Sequence, residues 1–529
     1  MKKYSYLMAA LLMMGSSAMA KDVYLSATGS DENDGLTAGN AVATLSKAVE
    51  LAEDGDVINI SGIIPVKWML ALEKNNLNFR GTDAATDGFD GQEQSLIIYA
   101  VNKNVQFNNL TIQNCKNPGT VVAGGAFSFA GGNPTFRNCV LTNNEASSSA
   151  DQGRGGAIYF TNSNLKIYDS EITSNVANKE SGALQGRGGT LVLQNTTVSG
   201  NTAVGDCGAI HIVDLRQVEI DKCVITDNTA GKSGGALYIT GSGVENLKVT
   251  RTFIASNKAN GDHGGAVYFG LGNNKDKDYQ PFLFGACTIT GNECKSAGGT
   301  MFITGGFDGT KTNLEDGTRK EQVVNIVNCT ITDNQTLSNQ GNSGGINYQD
   351  GTEGKKVAQL NIINTILEGN HSLDDSRFAD GWFKNAPVTI KNSIVGHIYE
   401  MDKETFIGTV ENSQTETTPA GAEATTAGLQ ALTEEHYYPL TEGTQATTMG
   451  VVEDATAAGL TTDQLGNALE LPYIGAVQRA EPAGETPTAI SDVKLLSPTQ
   501  NGSYNLNGRR VSQLKKGLVI VDGKKIMVK

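Results

Sequence analysis

The sequence predicts an all-β fold, a right-handed parallel β-helix solenoid with an N-terminal helical cap and a small C-terminal β tail. Three observations predict it. A glycine phrase recurs as "GRGGAIYF" from Gly153, "SGALQG" from Ser181, "CGAIHI" from Cys207, "GGALYI" from Gly234 and "GGAVYF" from Gly264. A second phrase ending in asparagine follows each copy, from "NCVLTNN" at Asn144 through Asn175, Asn201, Asn228, Asn257, Asn292 and Asn334 to "NTILEGN" at Asn370. Between these landmarks apolar residues alternate, as in Ile158, Phe160, Leu165 and Ile167, which is the period of two that strands show.

Steps from Gly155 to Ser181, Cys207 and Gly234 are 26, 26 and 27 residues, enough for three short strands and their turns. Such a unit cannot bury its apolar face alone, and stacking the next unit on it buries all three strands at once. No helix or leucine frame supports a leucine-rich repeat, and the unit is too short for a four-stranded propeller blade. Insertions such as "GLGNNKDKDYQP" lengthen later units on one side.

Each repeated residue has a structural task in this fold. The asparagine amide both donates and accepts, so copies on successive coils can form a ladder inside a turn. The second residue of the glycine phrase stays Gly at positions 156, 182, 208, 235, 265 and 299, which points to a left-handed backbone or to an approach too close for a Cβ. Cys139, Cys223, Cys287 and Cys329 share one place in the repeat with Ser170, Thr196, Thr252 and Thr365, as expected of a buried column of small side chains.

Around the coils, residues 1–20 ("MKKYSYLMAALLMMGSSAMA") read as a leader, basic at its start, apolar in its middle and cleaved after Ala20. Residues 21–80 form the cap and first coil, with "TLSKAVELA" as an amphipathic helix over the open end of the core. The β-helix occupies 81–410, a closing region 411–480 and a linker rich in Pro and Thr 481–490. Residues 491–529 form a β tail with Asn-Gly and Asp-Gly turns and a basic charge. The chain of 529 residues carries a formal charge of -15, which repels phosphate backbones and anionic lipid, so nucleic acid is no expected partner. No segment after the leader is long and apolar enough to span a membrane.

Candidate function lies on an outward file one residue beyond the inward Ile158, Leu184, Ile210 and Leu237. Tyr159, His211, Tyr238, Tyr268, Phe302 and Tyr348 are expected there, with Gln185, as a shelf for sugar rings or as rings stacked on one another. The partner this suggests is a polysaccharide or host glycan, bound by an adhesin-like surface protein. A lyase would need a base and carboxylates holding Ca2+, sought among Asp151, Arg154, Arg187, Asp206, Asp262 and His263. A hydrolase would need two carboxylates, and Asp206 with Asp262 is the candidate pair. No metal ligand set and no other cofactor is expected, and a structural surface spacer is the third class.

"VYLSATGSDENDGLTAGNAVATLSKAVELAEDGDVINISG" resembles the opening of secreted bacterial right-handed β-helix proteins of the pectate-lyase-like superfamily. "YPLTEGTQATTMG", "TDQLGN" and "YIGAVQ" are similar to the end of choice-of-anchor Q domain proteins. "GSYNLNGRRVSQLKKGLVIVDGKKIMVK" resembles the C-terminal tails of exported Bacteroidota proteins. The last resemblance implies type IX secretion or attachment machinery as a partner, and an address at the outer-membrane surface or outside the cell.

Overall fold

The computed structural model describes residues 20–482 apart from 118–122, 148–152, 242, 272–279, 306–321, 339–342, 350–357, 374–379, 385–386, 399–406 and 417–426. Beyond residue 482 it describes only three short strands. The leader therefore lies outside the described residues, as do Asp151 and most of the linker. The chain divides into two units, Met1–Ala480 and Glu481–Lys529.

In the first unit one coil runs Ile158–Tyr168, Glu171–Thr173, Val176–Ala177. Each of these strands pairs in parallel with its copy in the next coil, Leu184–Gln194, Thr197–Ser199 and Thr202–Ala203. Repetition builds three parallel sheets of 21, 13 and 9 strands wrapped round one core. This is the predicted right-handed parallel β-helix. Its coils run from Asp22–Ser26, paired with Val57–Ser61, as far as Gln414–Glu416. The corner between the first and second strands is left-handed, and Asn138, Asp169, Asn195, Asn328 and Asn364 hold it because short polar side chains tolerate that backbone.

The inward file Ile158, Leu184, Ile210, Leu237, Val267, Met301 and Ile346 is in register and at most 1 % exposed. At the N-terminal end a helix, Leu45–Leu51, starts where the Thr44 side chain accepts from the Lys47 N–H. Its Leu45, Ala48 and Val49 join the main core, so the helix covers the first coil as expected of a solenoid cap.

Inside the turn between the second and third sheets the asparagines form the expected ladder. Asn175 donates from Nδ2 to Asn201 Oδ1, Asn201 to Asn228 and Asn228 to Asn257, each at 2.9 Å. The chain of amides runs unbroken from Asn144 to Asn370. Backbone N–H groups of the same residues also donate along the file, as Asn201 N does to Asn228 Oδ1 at 3.0 Å. At the end stands an acid: Asp380 accepts from Asn370 N and Nδ2 on one oxygen and from His397 N on the other. Three donors meet there, and a carboxylate, which only accepts, satisfies all of them. Burial still pushes the Asp380 carboxyl up to about 6, against those three donors.

The glycine phrase divides its labour in a way that decides between the two expectations. Its first residue is left-handed, with φ between +64° and +73° at Gly155, Ser181, Cys207, Gly234, Gly264 and Gly298. The second residue is glycine because of crowding. A Cβ on Gly208 would stand 2.1 Å from Gly235 O, and one on Gly235 would stand 2.1 Å from Gly265 O. The backbones of neighbouring coils touch there.

Residues 427–480 lie along the outside of the second sheet and of the corner between it and the first. Leu283, Ala286 and Val327 on the coils pack with Ala455, Leu460 and Leu469. Ile366 and Ile394 pack with Ala427, Leu440, Ala446 and Ile474. The "TDQLGN" and "YIGAVQ" phrases pin this strap, since Asp463 accepts from Asn467 N and Gln478 N while Gln464 accepts from Thr288 Oγ1. A sign of the strap is legible in the outward file of the sheet, which turns from Val140, Glu171 and Thr197 to buried Phe253, Thr288, Thr330, Ile366 and Ile394.

All seven cysteines are buried and free of disulfides, and burial drives the thiols of Cys139, Cys223 and Cys294 up to about 12. The second unit contains a three-stranded antiparallel sheet, Ser503–Tyr504, Gly517–Val521 and Lys524–Val528.

Candidate functional site

Each coil enters the long sheet through its glycine turn, so two outward files run side by side there. The residue just before the turn supplies one: Arg154, Glu180, Asp206, Ser233, His263 and Ala297, linked by backbone bonds such as Ser181 N to Asp206 O and Cys207 N to Ser233 O. The first outward place on the strand supplies the other: Tyr159, Gln185, His211, Tyr238, Tyr268, Phe302, Asn347 and Trp382.

Five of the six rings expected on the flank stand in that second file. Tyr348 does not, and the expectation is corrected. Phe302 pairs with Asn347, and Tyr348 pairs with Ile303, inside the core at 1 % exposure. The two glycines of "SGGINY" suggest a phrase beginning at Gly344, whereas Ser343 takes the first place and Gly345 the alanine place. One residue of slip sends a strand side chain to the opposite face.

The rings pack on each other. Tyr238 and Tyr268 stack with centroids 4.5 Å apart and planes 11° apart, and Tyr268 stacks on Phe302 at 5.6 Å. His263 covers Phe302 at 4.1 Å, and His211 meets Tyr238 edge-on at 4.9 Å. The ring faces of Tyr238, Tyr268 and Phe302 are thus engaged within the file.

Glu180 is the polar centre of the flank. Its Oε2 accepts from Arg154 Nε and from Gln185 Nε2, both at 3.2 Å, and lies 3.7 Å from His211 Nδ1. Burial works against its charge, but His211, Gln185 and Arg154 outweigh burial and hold the carboxyl below its ordinary range. Burial also drives His211 down to about 4 despite the Glu180 carboxylate, so the ring is neutral at pH 7. At that pH Gln185 and Arg154 are what keep Glu180 ionised.

Asp206 occupies the next coil of the same file and is pushed the other way. Burial raises its carboxyl, Glu180 and Asp262 add to this, and the Ser233 N–H and Lys232 only partly offset it. Of the expected pair, Asp262 is exposed, off the file, and 3.0 Å from His263 Nε2. The carboxylate beside Asp206 in the file is Glu180. Sequence reasoning passed over Glu180 because it anchored each copy on the glycines. Reading one residue upstream in every copy gives Arg154, Glu180, Asp206, Ser233 and His263 directly. Among the described residues no three His, Cys, Asp or Glu side chains converge so as to hold a metal ion.

The chain has the right-handed parallel β-helix fold. A family model described as the right handed beta helix region matches residues 89–276. Among solved structures it is similar to the complex of XylC with xylose, at 10% identity and TM-score 0.45, over 87% of this chain and 99% of that one. No curated protein matches it.

Proposed function

We propose that this protein binds a polysaccharide along the flank formed by the two files. The observation that carries the reading is an unbroken run of hydrogen-bonding groups on five successive coils, Arg154, Glu180, Asp206, Ser233 and His263, beside the file of Tyr159, Tyr238 and Tyr268. Coils repeat about every 4.8 Å, close to the length of one pyranose in a chain, so neighbouring coils can address neighbouring sugars. In this reading the leader exports the chain, and the tail acts in type IX secretion or anchoring at the surface of a Bacteroidota cell. The choice-of-anchor Q resemblance of residues 438–478 fits the same address.

Retention on immobilised polysaccharides tests the reading. The mature chain should be retained by at least one polymer, and Tyr159→Ala with His263→Ala should weaken retention about tenfold, the worth of about 1.4 kcal/mol. Lys248→Ala on the far part of the sheet should leave it unchanged. Equal retention of all three proteins, or of none, would refute the proposal. The self-stacking of Tyr238, Tyr268 and Phe302 favours a second reading in that event, a stabilised surface spacer.

A further inference from the structure

We propose that Glu180 and Asp206 form a hydrolytic pair that cleaves a neutral glycan lying on this flank. The inference deepens the glycan reading above and rests on it.

Geometry carries it. The two carboxylates leave the same turn position on adjacent coils, joined by the backbone bond from Ser181 N to Asp206 O at 3.0 Å. One coil, about 4.8 Å, separates their backbones, which lets the two carboxyls approach the close spacing of pairs that work by double displacement. A second observation points to a ligand. Gln185 is only 5 % exposed and aims its amide at Glu180, yet its Oε1 has no hydrogen-bond partner in the chain. His211, 6 % exposed, likewise presents an unpartnered Nδ1 to Glu180. An unpaired buried acceptor such as Gln185 Oε1 is costly and is expected where a substrate hydroxyl completes it.

The environments separate the two acids, as division of labour between acid and nucleophile requires. Glu180 is held ionised by its neighbours, whereas Asp206 is held toward its protonated form by burial. The Glu180 carboxylate attacks the anomeric carbon and forms a glycosyl ester. The glycosidic C–O bond breaks as Asp206 gives its proton to the departing oxygen. Asp206, now a carboxylate, takes a proton from water, whose oxygen attacks the anomeric carbon and releases Glu180. The sum is one glycosidic bond and one water consumed and two hydroxyls formed. A neutral polymer is implied, since Arg154 is engaged by Glu180 and Asp262 adds a third carboxylate that would repel a uronate.

The test is incubation of the full chain with xylan, β-glucan and galactomannan, and with polygalacturonate and hyaluronan, following new reducing ends, unsaturated sugars and retention. Reducing ends of retained anomeric configuration are expected from a neutral polymer. Glu180→Gln and Asp206→Asn, checked for unchanged melting, should each slow cleavage about 100-fold or more. Independently of any variant, a 2-deoxy-2-fluoro glycosyl fluoride should label the wild-type chain at Glu180, read by mass spectrometry. Retention without new ends overturns the pair and leaves the binding proposal standing, and absence of both overturns the two together. Unsaturated products, inverted configuration, label elsewhere or undiminished cleavage by Glu180→Gln would also overturn the pair.

Discussion

Gly208→Ala should prevent the central coils from closing. The added Cβ would stand 2.1 Å from Gly235 O and 2.7 Å from Thr229 N, both backbone atoms of the next coil, which no rotamer change can move. Relief requires the coils to part, and parting them breaks the ladders on three sheets at once, so a cost of about 4 kcal/mol or more is expected. The neighbouring substitution Gly234→Ser makes the control. Gly234 is left-handed at +73°, but Ser181 and Cys207 already hold that backbone at +64° and +70° in other coils, so the cost should be about 1 kcal/mol. Limited proteolysis and thermal melting of the three proteins check this. A Gly208→Ala chain as resistant as the parent would mean that the coils are not packed backbone to backbone.

The second large effect is expected in the amide ladder. Asn228→Ala removes the acceptor of Asn201 N and Nδ2 and the donor to Val198 O, all in a turn with no exposure at all. Asn201 Nδ2 keeps Ile172 O as a partner, but Asn201 N loses its acceptor. At 1–3 kcal/mol for each unsatisfied buried group, with the cavity added, the loss should be about 3 to 6 kcal/mol. Asn228→Asp should do no better, because it keeps the acceptor and puts a charged oxygen against Asn257 Oδ1. Melting within a degree of the parent in either variant would contradict the ladder's role.

Most of the architecture is legible in the residues because stacking repeats one requirement in every coil. The Asn file and the inward Ile and Leu places recur without gaps, and a recurrent need leaves a recurrent letter. Two kinds of information are lost. Tyr348 was misplaced because two consecutive glycines fit the phrase in either of two registers, and only the partner strand, Met301–Gly305, decides between them. Glu180 was missed for the opposite reason. The turn file has a different residue on every coil, so no letter repeats, and its chemistry emerges only when Arg154, Gln185 and His211 are brought against it. The strap of residues 427–480 shows a third limit. Its partner surface is spread over coils from Phe253 to Ile394, and only the appearance of Phe253, Ile366 and Ile394 in outward places betrays it.

The chemistry of the flank depends on one register, held from coil to coil, that brings residues far apart in sequence to within a few ångströms. Gln106 and Lys248 lie on exposed places of a single file, with Thr135, Lys166, Val192 and Glu219 between them. Spin labels on Gln106→Cys and Lys248→Cys, with the seven native thiols shielded in the core, should report a narrow separation of about 24 Å, five coil spacings. A much longer distance, or a broad featureless spread, would contradict the register and with it the pairing of Glu180 and Asp206.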